Sequence, residues 1–203
     1  MNKIRIFLAA ILLAGIGTSS AWAEGKIAIG VQGGITLPDF YVKNATFPGT
    51  YGNRDGWLAG MFLEFGVWSI TLRPELNYVI KGYSVANTAD VTNRYLEVPV
   101  LLKINPLSDS VISPFLLLGP QWSKHLGSKV ETRAGAAAYT NTVTDWDLSG
   151  IAGLGIELNI SEHVGLNIQG RYSYGFRDVD SSATEIRTRG FYALAGLSIQ
   201  DAF

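Results

Sequence analysis

Apolar and polar side chains alternate at every second position along most of this chain, a period that predicts β-strands rather than helices. In the segment 70–81, Leu72 and Leu76 share one face, while Arg73 and Glu75 share the other. Eight segments show such a pattern: 26–35, 57–67, 70–81, 95–104, 115–123, 146–158, 164–174 and 191–200. In 115–123 a run of leucines hides which residues share a face. The segment lengths suit a tilted strand that crosses a bilayer, which needs ~9–11 residues.

The connections between these strands alternate in length. Those after the first, third, fifth and seventh strands are long: 36–56, 82–94, 124–145 and 175–190. Those after the second, fourth and sixth are short: 68–69, 105–114 and 159–163. Short periplasmic turns and long extracellular loops are typical of outer-membrane barrels. Both termini then lie in the periplasm, which requires an even number of strands. We therefore predict an all-β fold, a closed antiparallel eight-stranded transmembrane β-barrel.

The distribution of charge separates this fold from a secreted soluble barrel that carries a ligand, which also has eight alternating strands. The apolar faces contain no Asp, Glu, Lys or Arg, and only 16% of all residues are charged. The opposite faces are rich in Gly, Ser, Asn and Gln. A charge-free outer face and a polar lumen are the arrangement that lipid contact requires, so the membrane barrel is favoured.

Ten charged side chains fall on the faces predicted to point inward: Lys26, Glu64, Arg73, Glu75, Lys81, Glu97, Lys103, Asp147, Glu157 and Arg171. An eight-stranded barrel is only wide enough to hold its own side chains. Unpaired buried charge costs several kcal/mol per ion, so five bases and five acids predict a paired structural network that plugs the lumen. The alternative is that these charges line an ion-conducting path, which would make the protein a narrow channel for small solutes.

Aromatic residues lie at or near the ends of the predicted strands, where girdles at the two lipid–water interfaces are expected. They are Trp57, Phe65, Trp68, Trp122, Trp146, Tyr174 and Phe191. Pro74 and Pro99 fall inside predicted strands. Because proline removes a hydrogen bond and a closed barrel has no free edge, we expect β-bulges near both.

The first 23 residues predict a secretory signal peptide. Lys3 and Arg5 precede the apolar segment Ile6–Ile16, and Ala21-Trp22-Ala23 fits the small-x-small cleavage pattern. Residues 24–203 would then form one barrel domain. An uncleaved anchor helix is the weaker alternative, since the apolar run is shorter than the ~20 residues that span a bilayer. The absence of cysteine excludes disulfides and lipoprotein attachment through an N-terminal cysteine.

Two neighbouring segments resemble a known family. Arg73-Pro74-Glu75-Leu76-Asn77-Tyr78 with Lys81-Gly82-Tyr83, followed by Leu96-Glu97-Val98-Pro99-Val100-Leu101-Leu102-Lys103, is similar to the paired strand motifs of small porin-family "outer membrane protein beta-barrel" proteins of Bacteroidetes-type bacteria. Pro114–Pro120 and Gly170–Gly175 resemble later strands of that family. The resemblance implies an outer-membrane location and contact with outer-membrane lipids. It also implies that Phe203 is the terminal aromatic recognised by the assembly machinery, although Asp201 departs from the apolar residue usual there.

The sequence offers little chemistry beyond this. His125, with Ser123 and Ser128 nearby and Asp145 and Asp147 opening the next strand, could form a Ser-His-Asp site at the extracellular rim. No nucleophile motif accompanies these residues, so we predict no enzyme, and no cofactor or metal site either. The acidic run 178–182 lacks the glycine and terminal glutamate of a calcium loop and predicts a solvated loop.

The net charge of −1 and the lack of a basic stripe exclude a nucleic-acid partner. Three functions remain, in decreasing order of support. The favoured function is a structural barrel, or one that interacts through its loops with a partner that the sequence does not identify. A narrow channel ranks second, and an outer-membrane enzyme third.

Overall fold

Eight long strands account for nearly all of the described chain. The computed structural model describes residues 25–42, 51–85, 89–107, 110–132, 145–176 and 186–202. The strands are β1 (Gly25–Val42), β2 (Tyr51–Val67), β3 (Ile70–Val85), β4 (Ala89–Ile104), β5 (Ile112–Thr132), β6 (Trp146–Asn159), β7 (Val164–Gly175) and β8 (Ile186–Ala202). Each strand is antiparallel to its neighbours, and β1 pairs with β8 to close the sheet. The predicted eight-stranded barrel is confirmed.

The barrel has two unlike ends. We call the end with the short connections 68–69, 105–111 and 160–163 the turn end, and the opposite end the loop end. At the loop end the strands run further than the alternation predicts. β3 continues to Val85 and β4 begins at Ala89, so the long loop predicted at 82–94 is wrong. Pairing continues there, for example between Tyr83 and Val91, although no apolar face marks it in the sequence.

Side chains on the two faces of the wall differ as the alternation predicts. Large apolar residues such as Ile29, Val31 and Ile168 point outward and are exposed, whereas most inward residues are polar and buried. The structure also settles the ambiguous leucine run of β5. Phe115 and Leu117 are each 2% exposed and face the lumen, while Leu116 and Leu118 are 57% and 64% exposed and face outward. No helix among the described residues has the length and hydropathy needed to cross a membrane.

Irregular pairing occurs away from the two prolines. β3 and β4 keep one register on both sides of Pro74, since Arg73 pairs with Leu101 and Asn77 pairs with Glu97. The expected bulges at Pro74 and Pro99 are therefore wrong. Proline removes a donor but keeps the chain extended, so no extra residue is inserted.

Register shifts occur instead near the loop end. In β4–β5, Arg94 pairs with Gly127 and Tyr95 pairs with His125, which leaves Leu126 as the extra residue of a bulge. Gly127 has a φ of 151°, a conformation that suits glycine. A second shift lies between Arg54 and Trp57 in β2. At the turn end, Trp68 begins the two-residue β2–β3 turn with a φ of 55°, which is unusual for a bulky residue.

Candidate functional site

Six buried charged side chains from five strands form one continuous chain in the lumen. In order along this chain they are Arg171, Glu75, Arg73, Glu64, Lys103 and Glu157. The successive ion-pair distances are 2.7, 2.8, 2.8, 3.0 and 2.8 Å. Each neighbour has the opposite sign, so the charges balance. We call this set the charge chain; the alternation along β2, β3, β4, β6 and β7 is what brings its members to one face.

Glu75 bonds to more different side chains than any other member of the charge chain. Its two carboxylate oxygens accept a bidentate pair of hydrogen bonds from Arg171, both at 2.7 Å. Gln32 Nε2 donates to it at 2.8 Å and Asn77 Nδ2 at 3.0 Å. Bidentate guanidinium–carboxylate contacts are among the stronger hydrogen bonds in proteins. The amides extend the network to β1, because Gln32 Oε1 also accepts from Arg73 at 2.9 Å.

A second ion pair lies nearer the loop end. Lys81 Nζ is 2.6 Å from Glu97 Oε1, and the Glu97 side chain is fully buried. The ammonium also lies 5.3 Å from the centre of the Tyr95 ring and 5.4 Å from that of Tyr192. Aromatic faces attract cations, so the rings and the carboxylate together hold Lys81 across the lumen.

Two apolar clusters complete the lumen, and sequence reasoning assigned them no role there. One consists of Leu58, Val79, Tyr192 and Leu194, with Tyr95 packed against it. The other consists of Leu101, Phe115, Leu117 and Ile151. Phe62, which is also buried, packs under Arg73, whose guanidinium carbon is 3.6 Å from the ring centre. The signal was present for Leu58, Val79 and Leu101, because each shares a face with charged residues of its own strand. In β5 the run of leucines hid it.

The remaining members of the predicted set lie apart from the charge chain or outside the description. Asp147 pairs with Ser123 in the β5–β6 ladder, toward the loop end. The side chain of Lys26 and the whole of Phe203 are outside the described residues.

A small cavity lies at the turn end of the lumen. It measures about 40 Å³ and is lined by Glu64, Lys103 and Glu157 of the charge chain together with Asn105 and polar neighbours. That volume is enough for one or two water molecules. Within the described part of the protein, Glu157 Oε1 is buried and has no hydrogen-bond partner. The cavity gives this carboxylate oxygen a place where water can solvate it.

The candidate rim residues come together in part. His125 Nε2 lies 2.9 Å from Ser128 Oγ, and Ser128 donates to Asn93 Oδ1 at 2.7 Å. The hydroxyl hydrogen of Ser128 is thus directed at Asn93, and the donor and acceptor roles of the imidazole depend on its tautomer. An activated nucleophile would instead donate its hydrogen to the imidazole. Asp145 meets His125 through the main chain, where His125 N donates to its carbonyl at 3.0 Å.

No metal-binding group was found among the residues that the structure covers. Clusters of three or more His, Asp or Glu able to hold an ion are absent from that part of the chain. The acidic run 178–182 lies outside the described residues.

A closed antiparallel barrel with an apolar outer face and a packed polar lumen defines a small transmembrane β-barrel of the outer-membrane class. The sequence matches the family described as "Outer membrane protein beta-barrel domain" over residues 18–181, and the chain belongs to that family. The family resemblance of the paired β3 and β4 motifs is thereby confirmed. The match does not identify the bacterial group.

Two solved structures share this architecture. OprG from Pseudomonas aeruginosa is 13% identical, with 89% of this chain and 97% of that chain covered and a TM-score of 0.57. Neisserial surface protein A is 12% identical, with 85% and 97% covered and a TM-score of 0.53. At such identities the similarity concerns the fold. No curated protein sequence matches this chain significantly.

Proposed function

We propose that this protein is a non-enzymatic outer-membrane barrel with a plugged lumen, and that it acts through its outer surface and loops as a structural or interaction protein. The observation that carries the proposal is the filling of the lumen. The charge chain, the Lys81–Glu97 pair and the two apolar clusters occupy successive parts of the interior. A barrel of eight strands has little space beyond its own side chains.

The pairing of the buried charges supports closure over conduction. A conducting path needs charged groups that an ion can approach and leave. Arg73 and Glu75 are both buried and each meets several partners, so an entering ion would have to displace them. Breaking such buried pairs typically costs about 3–5 kcal/mol.

The orientation and export of the barrel belong to the same proposal. Short turns are periplasmic in outer-membrane barrels, which places the loop end outside the cell. Removal of residues 1–23 by signal peptidase and recognition of Phe203 by the assembly machinery would deliver the barrel to the membrane. The hydroxyl hydrogen of Ser128 is directed at Asn93 and not at His125, which supports a role without an active site.

Solute influx into liposomes tests the proposal. Proteoliposomes that hold the folded protein should swell no faster than empty liposomes in isosmotic solutions of glycine or a pentose. Resistance of the barrel to added protease, checked on the same sample, controls for insertion. Swelling that rises with the amount of inserted protein would contradict the plugged lumen and show a channel for small solutes.

A further inference from the structure

Two basic side chains stand on the outer wall of the barrel at the loop end of β4 and β5. Arg94 is exposed and lies on the same outward face as Leu96, Val98 and Val100. Lys124 is exposed on the neighbouring strand, directly opposite Leu96. Arg94 and Lys124 thus lie on one outward face, on either side of the bulge at Leu126. Diagonal neighbours in a regular ladder are roughly 7–8 Å apart, a separation that long side chains bridge.

The height of this pair matches the edge of the lipid. Ile104 marks the turn end of the apolar face of β4, and Arg94 follows it ten residues away toward the loop end. At ~3.3 Å per residue and a strand tilt of ~40°, that distance spans about 25 Å of membrane. The apolar band of such barrels is about 25 Å tall, so Arg94 lies at the level of the lipid headgroups.

The positive charges of Arg94 and Lys124 are not neutralised by neighbouring residues of the described structure. Lys124 Nζ lies 5.3 Å from the centre of the Trp146 ring, on the strand to its other side. Neither Arg94 nor Lys124 forms an ion pair with any other residue that the structure describes. Glu131 is already paired with Lys129 at 2.7 Å, further along β5.

We propose that Arg94 and Lys124 bind the phosphate group of a lipid in the leaflet at the loop end, with Trp146 placed beside its glycerol or sugar region. Arginine and lysine at headgroup level attract anionic lipids, and a guanidinium fits two phosphate oxygens at once. Leu96 and Leu126 border the pair with apolar surface that suits the upper part of the acyl chains. The inference rests on the outer-membrane setting proposed above but not on the plugged lumen.

Quenching of tryptophan fluorescence by brominated lipids tests this site, because Trp146 lies beside Lys124. The protein is reconstituted in phosphatidylcholine vesicles that contain either brominated phosphatidic acid or brominated phosphatidylcholine as a minor component. We expect phosphatidic acid to be enriched around the barrel by up to about thirtyfold, as two basic residues near a membrane surface would produce. In R94Q/K124Q the enrichment should fall to near one.

The matched control is K129Q, which removes an exposed base from the same strand that is already paired with Glu131. It should keep the wild-type enrichment. Equal quenching by the two lipids in the wild type would overturn the proposal, as would an enrichment that survives in R94Q/K124Q. Loss of the enrichment on adding inorganic phosphate at constant ionic strength would show a site for soluble phosphate and overturn the lipid assignment. A barrel that conducts would leave these outcomes unchanged.

Discussion

Glu97 shows how a single residue ties strands together inside the barrel. It is fully buried and accepts a hydrogen bond of 2.6 Å from Lys81 of the neighbouring strand. Its other carboxylate oxygen lies 3.5 Å from the hydroxyl of Tyr192 on β8. Removing one member of such a pair leaves the other charge uncompensated in a place with little water. The penalty then exceeds what the pair contributes by itself, since desolvation of the remaining ion is not offset.

The variant Glu97→Ala should therefore lower the free energy of unfolding by about 3–5 kcal/mol. The measurement is urea unfolding in lipid vesicles, followed by tryptophan fluorescence. Replacing both partners, as Lys81→Met with Glu97→Leu, should restore much of the loss because no buried charge is left alone. Glu131→Ala breaks an exposed pair and should cost at most about 1 kcal/mol. Wild-type stability in Glu97→Ala would show that Lys81 reaches water and that the pair does not close the lumen.

At the scale of the strand, the apolar outer face and the packed inner face make opposite demands on substitutions. β4 illustrates this, because Val100 lies midway along its outward face while Leu101 is fully buried in the lumen. A charge on the outward face near mid-membrane loses its hydration and has no partner in lipid. The same charge near the headgroups stays hydrated and can pair with polar groups of the lipid.

Val100→Arg should consequently destabilise the barrel by about 2–4 kcal/mol. Thr92→Arg lies on the same face of the same strand, eight residues toward the loop end, and should cost no more than about 1 kcal/mol. Refolding titrations in vesicles of one lipid compare the two variants. Equal stability of both would mean that β4 crosses the membrane at a different height from the one assigned here.

Inward glycines fill a different role in the strands, since they leave room for large side chains from the paired residue of the neighbouring strand. A Cβ at Gly30 would meet the ring of Phe62 and would lie 2.6 Å from the carbonyl oxygen of Leu197. Gly30→Ala should cost about 1–3 kcal/mol through overpacking. A Cβ at Gly170 would point outward and meet no atom within 4 Å, so Gly170→Ala should change stability little. Thermal unfolding in one detergent decides the matter, and a tolerated Gly30→Ala would show that Phe62 can move aside.

Strand number and facing were predictable because they depend on local alternation, which a lipid-exposed wall enforces at every second residue. The extension of β3 to Val85 was not, because above the lipid the outward face is no longer apolar, as Thr92 and Arg94 on the paired strand show, while backbone pairing continues. The facing of Phe115 and Leu117 was hidden by apolar residues on both faces of β5. Ion-pair partners such as Arg171 and Glu75, 96 residues apart in sequence, depend on how the sheet closes, which no local pattern records.

At the scale of the whole molecule, the described strands form a closed barrel with an apolar outward face and with buried polar, charged and apolar side chains inside. Alternating charges fill the half near the turn end, and the Lys81–Glu97 pair with its aromatic rings lies nearer the loop end. Apolar clusters from β4, β5 and β6 and from β2, β3 and β8 add to the filling. The cavity of about 40 Å³ at the turn end is lined by Glu64, Lys103 and Glu157 of the charge chain.

Single-channel recording in a planar lipid bilayer is the most direct test of the plugged lumen. The folded wild-type protein should insert without sustained ionic current at either polarity, because an ion would have to break the charge chain and pass the apolar clusters. Insertion is verified by recovering the protease-resistant barrel from the same membrane. Steady, reproducible openings of the wild-type protein, with an ion selectivity that changes in Glu97→Ala, would contradict the plug and make the lumen a channel.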